Sequence, residues 1–112
     1  MAKNDLQGTL DLLVLKTLSQ MGELHGYGIV VHIQRASDDL LSVEEGSLYP
    51  ALHRMEQSGW IASEWALTQT SRKAKYYKLT AAGRKQLKVE THRWSEMVGA
   101  IGRVLTNARR AE

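Results

Sequence analysis

Residues 42–60 read SVEEGSLYPALHRMEQSGW. Leu48, Ala51, Leu52 and Met55 recur at offsets that fit a 3.6-residue period and not a period of two, so the stretch is predicted to be one helix with one apolar face. The opposite face carries Tyr49, Pro50, His53 and Gln57, with Arg54 at its edge. Ser42 and Glu45 form an S-x-x-E capping-box pattern that would start the helix at Val43. Pro50 then falls inside it, where it removes a hydrogen bond and crowds the carbonyl of Gly46. A start near Ser47 would put Pro50 in the first turn at little cost, and the sequence leaves both starts open. Ser58-Gly59 is expected to end the helix, because glycine tolerates the left-handed C-cap. A short helix with one buried face and a small, polar, partly aromatic opposite face can enter a nucleic-acid groove.

Downstream, Ile61 to Trp65 is predicted to be a strand, bounded by Gly59. Lys75 to Leu79 has the higher β-propensity. The polar loop Thr68-Gln69-Thr70-Ser71-Arg72-Lys73 joins them into an antiparallel hairpin. Trp60 is expected in the core beneath it and Trp65 over the same core. Tyr76 and Tyr77 point to opposite strand faces, one buried and one exposed. Thr80 is a good N-cap for a long last helix. That helix begins basic, with Leu87 and Val89, and continues with Trp94, Met97, Val98, Ile101, Val104 and Leu105. Positions 87, 94, 98, 101 and 105 form one stripe, which needs a partner surface; a homodimer is the simplest answer. Asn107 to Glu112 is expected to fray.

Upstream, Met1 to Gln7 is expected to be a loose polar arm. From Gly8 a first helix carries Leu10, Leu13, Val14, Leu18 and Met21 on one face, with Leu12 and Leu15 on a second side. Such a helix is either fully central or shared with a second subunit. Gly22 to Gly26 reads as a turn. A second helix over Tyr27 to Ser37, apolar at Tyr27, Val30, Val31 and Ile33, is ended by Asp38-Asp39.

The 112 residues suggest one domain, 43 % hydrophobic and 24 % charged, a balance that supports a modest core. No cysteine is present, which excludes disulfides and thiolate chemistry. The start lacks a signal-peptide layout, and the longest apolar run, Leu12 to Leu15, is too short to span a bilayer, so a cytoplasmic protein is expected. The net charge of +3 is unevenly spread. Between Arg72 and Arg93 stand Arg72, Lys73, Lys75, Lys78, Arg84, Lys85, Lys88 and Arg93 against Glu90 alone. Such a segment is either a phosphate-neutralising surface or a solvated helix face with a charged turn.

The predicted fold class is mainly α with a small β-hairpin: a winged helix-turn-helix over residues 1–79 and a long C-terminal dimerisation helix over 80–112, forming one compact unit. In that arrangement the third helix reads DNA. Ser47, Tyr49 and His53 can bond phosphates or base edges beside Pro50, and Arg54 can pair with phosphate or guanine. Arg72, Lys73 and Lys75 lie on the wing, where basic residues give affinity more than sequence choice. His25, His32, His53 and His92 have no ligand-like spacing, so no metal and no cofactor is expected. The chain lacks a phosphate-binding glycine loop, a cysteine nucleophile or a recognisable catalytic pair, so it is not expected to be an enzyme.

These residues resemble a known family. LYPALHRMEQSGWI at 48–61 is similar to the reading-helix signature of the PadR-like transcriptional regulators. GTLDLLVL at 8–15, HGYGI at 25–29 and KYYKLTAAGR at 75–84 resemble three further blocks of that family, in the right order. The likeness spans Leu6 to Leu105, and the last helix resembles the compact subfamily with a single dimerising helix. It implies a homodimeric repressor of double-stranded DNA that lets go when a small, often aromatic, ligand binds. In some compact members a Trp on the last helix holds flat aromatic compounds between subunits, which points to Trp94, with Met97 and Val98. The implied dimer interface is Leu10, Leu13, Trp94, Val98, Ile101 and Leu105. One departure stands out: the family wing often has a Gly before its basic residues, whereas here Ser71 precedes Arg72-Lys73-Ala74-Lys75. Two other readings stay open, a small-molecule-binding dimer with a vestigial DNA module and a protein-interaction module built on the last helix.

Overall fold

A computed structural model describes the backbone of residues 3–107 and the side chains of residues 8–107. The elements run α1 (Lys3–Met21), β1 (Leu24–His25), α2 (Gly26–Ala36), α3 (Glu45–Gln57), β2 (Ile61–Leu67), β3 (Lys73–Leu79) and α4 (Ala81–Thr106). The fold is the mainly helical one expected, with a winged helix-turn-helix followed by a long last helix. Helix α1 begins at Lys3, so the expected arm is helical from there; residues 1–2 and 108–112, including most of the expected fraying end, lie outside the described residues.

The core is where three helices and the sheet meet. Val14, Leu15 and Leu18 of α1, Ile29 and Ile33 of α2, the whole predicted apolar face of α3, and Ile61, Tyr77 and Leu79 of the hairpin are buried together. Two helical expectations need correction. Met21 and Tyr27, assigned to apolar faces, are exposed, and Ile29 takes the place expected of Tyr27. The reason lies at the start of α2. Its N-cap is His25, whose Nδ1 accepts a hydrogen bond from the Gly28 amide at 3.0 Å. The helix therefore begins at Gly26, and that register turns Ile29 and Ile33 inward.

The sheet is antiparallel in the order β1-β3-β2. Leu24 and His25, expected in a turn, pair with Tyr77 and Tyr76 as a short third strand. Two residues cannot show an alternating pattern, so this strand had no signal of its own. Both hairpin strands are longer than expected, and Ile61 to Leu67 pairs with Leu79 to Lys73 in unbroken register. Of the two tyrosines Tyr77 is buried, and burial raises its pKa. Tyr76 is partly covered by the edge of the His25 ring, 5.3 Å away. Trp60 packs against the core as expected. Trp65 does not: it is 66 % exposed, because the hairpin projects beyond the body at that level.

Helix ends follow local chemistry. Helix α3 closes in a Schellman turn, with Gly59 at φ +81° and its amide on the Glu56 carbonyl while the Trp60 amide reaches the Met55 carbonyl. Helix α2 closes in the same way, but with Asp38 at φ +52° in the left-handed position. The Asp38 and Asp39 amides bond the carbonyls of Arg35 and Gln34. Asp38→Gly should therefore stabilise the fold by about 0.5–1 kcal/mol, visible as a higher midpoint in thermal unfolding. Helix α4 starts on Thr80, whose hydroxyl accepts from the Gly83 amide and donates to the Gly59 carbonyl at 2.6 Å. A Cβ on Gly83 would run into the Trp60 carbonyl, so the glycine lets α4 rest directly on the turn that ends α3.

Candidate nucleic-acid interface

The α3 face opposite the core is open along its length. Ser47, Tyr49, Pro50 and His53 are all exposed, while Leu48, Ala51, Leu52 and Met55 are buried. The helix begins at Glu45 with Glu44 as N-cap and no side-chain capping bond. The capping box on Ser42 is thus not formed, and neither start considered for the helix is the observed one. Pro50 stands in the second turn, at the exposed surface, and the helix continues through it. Tyr49 lies across the start of α2. Its hydroxyl end sits so near Gly26 that a Cβ there would fall 2.6 Å from the Tyr49 oxygen. Gly26 therefore gives the ring a seat at the edge of the reading face.

Arg54 has a partner within the protein. Its guanidinium makes two hydrogen bonds of 2.8 Å to the Asp11 carboxylate, a bidentate pair joining α3 to α1. The Asp11 side chain is 7 % exposed and that of Arg54 39 %. The hydrogen bonds to Asp11 raise the Arg54 pKa, and the charge of Glu90 on α4 adds to the effect. Asp11 is the overlooked residue here. A carboxylate inside the apolar run GTLDLLVL is costly to bury unpaired, and that alone signals a cation waiting elsewhere in the chain.

The hairpin supplies the basic side. A tight turn closes it, with the Ser71 amide on the Thr68 carbonyl and the Thr68 amide on the Arg72 carbonyl. Ser71 stands at φ +61°, the left-handed position at which a glycine is at ease. The departure from the family pattern is thus accommodated in place. Arg72 and Lys73 are exposed and enter none of the ion pairs among the described residues. Lys75 is less free. Its ammonium lies 3.3 Å from Glu56 and 5.9 Å from the centre of the Tyr77 ring. Glu56 also accepts a 2.6 Å hydrogen bond from Ser63, which with Lys75 holds its pKa below the usual carboxylate value. These contacts fasten the hairpin base to the end of α3 and fix the angle between wing and reader.

Far from this face, α4 runs past the body and leaves Trp94, Val98, Ile101, Val104 and Leu105 exposed. Leu10 and Leu13, expected in the same interface, are partly buried against the core. Between α1 and α4 lies a cleft of about 190 Å3, and Trp94 and Met97 line it with Leu12, Glu90 and Arg93; Val98 does not. Glu90 is buried there, accepts from Gln86 at 2.7 Å and faces Arg93 at 3.6 Å. No cluster of His, Cys, Asp or Glu suited to a metal occurs among the described residues. No helix there is long and apolar enough to cross a membrane.

Known proteins share this arrangement. Residues 14–89 match the model of the transcriptional regulator PadR-like family. The chain belongs to that family. A transcriptional regulator from Clostridium thermocellum is 28 % identical, with a TM-score of 0.79 over 92 % of this chain and 96 % of its own. A PadR family transcriptional regulator from Eggerthella lenta is 31 % identical, with a TM-score of 0.72 over 91 % of this chain and 87 % of its own. A PadR-like transcriptional regulator from Bacillus cereus is 28 % identical, with a TM-score of 0.74 over 92 % and 97 %. This PadR-like chain thus matches its relatives from α1 through α4, as the four sequence blocks implied.

Proposed function

We propose that this transcriptional regulator is a homodimeric, sequence-specific repressor. The observation that carries the reading is the clean division of α3 into a buried apolar face and an exposed face of Ser47, Tyr49, Pro50 and His53 beside a basic hairpin. Such a helix fits the major groove, and the hairpin then meets the flanking backbone through Arg72 and Lys73, with Lys75 at its edge. Arg54 acts from behind, holding the reader on α1. Residues 81–107 form the dimerising arm, joined by the outer side of α1 at Leu10 and Leu13. The Trp94 cleft takes a small aromatic ligand whose binding releases the DNA. The chain works in the cytoplasm and needs no cofactor or catalytic group.

A gel shift on DNA from immediately upstream of its own gene, with excess nonspecific competitor, tests the central statement. A competitor-resistant shift with protected half-sites about 34 Å apart, or a multiple of that, is expected. Loss of the shift as soon as competitor is added would remove sequence specificity from the reading. For the wing, Arg72→Ala with Lys73→Ala should weaken binding to every sequence and lower the slope of log K against log salt by roughly two. An unchanged slope takes the wing out of the contact.

A further inference from the structure

The outer half of the wing presents an unusual face. Along an antiparallel pair, residues directly opposite share a face, and residues two apart lie on it together. Trp65 is paired with Lys75, and Leu67 with Lys73. The same face continues inward through Ser63 and Tyr77, which lie over the core. Beyond the body it therefore shows two apolar side chains on β2 beside the ammonium of Lys73 on β3, while the ammonium of Lys75 turns back to Glu56. Trp65 is 66 % exposed and Leu67 65 %. Trp65, Arg72, Lys73 and Lys75 line an open groove of about 1070 Å3, together with Tyr49 of the reading helix and His25; Leu67 lies outside it.

An indole and a leucine held in water beside lysines do nothing for the fold, since neither reaches the core. The groove that Trp65 opens onto lies between a helix that fits the major groove and a hairpin that fits the adjacent minor groove. What separates those two grooves in a duplex is one sugar-phosphate strand. Its phosphates are anions, matched by Lys73 and the neighbouring Arg72; its deoxyribose rings are apolar on their faces, matched by Trp65. Glu64 stands opposite Tyr76 on the other face of the sheet, and Glu56, the acid on this face, is already paired with Lys75. We propose that this groove seats one sugar-phosphate strand of duplex DNA, with the Trp65 indole packed on deoxyribose and Leu67 continuing that contact toward the minor groove. The inference rests on the DNA-binding reading above and adds to it an uncharged contact that supplies affinity without reading sequence.

The test separates Trp65 from the cations by their different salt dependence. Phosphate contacts release counterions and set the slope of log K against log salt, whereas an apolar contact leaves that slope alone. Trp65→Ala should weaken specific and nonspecific duplex binding by the same factor, roughly tenfold, the order expected for losing one aromatic contact with nucleic acid. The salt slope should stay at the wild-type value, and Trp65→Phe should recover most of the affinity. In a variant with Trp60→Phe and Trp94→Phe, the emission of Trp65 should shift and quench when duplex is added. Circular dichroism and the unfolding midpoint of Trp65→Ala should match wild type, since the side chain is exposed. Wild-type affinity in Trp65→Ala, or unchanged Trp65 emission on DNA that the variant demonstrably binds, overturns the proposal while leaving DNA binding intact. Failure of the wild-type chain to bind any duplex at low salt overturns the DNA-binding reading and this inference with it.

Discussion

Arg54→Ala is expected to destabilise the fold by about 2–3 kcal/mol. Removing one partner of a buried ion pair costs about 3–5 kcal/mol, because the other charge is left without compensation. Asp11 is that other charge, with a side chain 7 % exposed. The 39 % exposure of Arg54 lets water reach the abandoned carboxylate and reduces the loss. Small domains have only about 5–15 kcal/mol in total, so the change is large and thermal or urea unfolding will read it directly. Asp11→Ala combined with Arg54→Ala should cost less than the sum of the two single changes, because the double variant strands no charge. The same variant distinguishes two roles for the arginine. At a low temperature where Arg54→Ala is folded, its salt slope on DNA should equal that of the wild type. A slope lowered by about one would instead make Arg54 a phosphate contact.

The pair also shows where sequence reading stops. The buried face of α3 was legible because four apolar residues repeat at helical spacing, and burial follows that spacing. The exposed face followed by subtraction. Arg54 sat at the boundary between the two, and periodicity says only that it faces sideways. Its partner is 43 positions away in another helix, a separation at which no local pattern operates. The capping box failed for a related reason. Ser42 and Glu45 have the right types at the right spacing, yet the chain enters α3 at Glu44, and the Ser42 hydroxyl caps nothing. Trp65, expected from the sequence as a strand residue over the core, is exposed instead. A hairpin that outgrows the body it packs on breaks that inference, and its length was set by pairing from Ile61 out to Leu67, which single-strand alternation did not reveal. By contrast Gly59, Thr80 and the outer stripe of α4 were legible from local rules alone. Each depends on a backbone position or a helical repeat, not on a distant partner.

Ile101→Asp is expected to convert a dimer into a monomer, with light scattering moving from twice the chain mass to the single-chain 12.6 kDa. The argument begins with the shape of α4. It is 26 residues long, and only Gly83 and Glu90 of it are buried in the single chain. Its outer half is largely exposed among the described residues, yet Trp94, Val98, Ile101 and Leu105 recur on one side of it at helical spacing. A helix stripe of that kind is stable in water when another surface covers it, and a second copy offers a matching stripe by symmetry. Ile101 is 51 % exposed in the single chain and stands midway along the stripe, so a dimer would bury it. A carboxylate placed there would lose its water without gaining a cation, and a two-fold axis would bring its twin toward it. About 3 kcal/mol or more of lost association energy raises the dissociation constant over a hundredfold. DNA binding should fall with it, because two readers spaced one helical turn apart depend on the arm between them. Arg103→Asp, on the same arm but not on the stripe, should leave the dimer intact and serves as the control. An Ile101→Asp protein that is still dimeric would move the interface to another face of the chain.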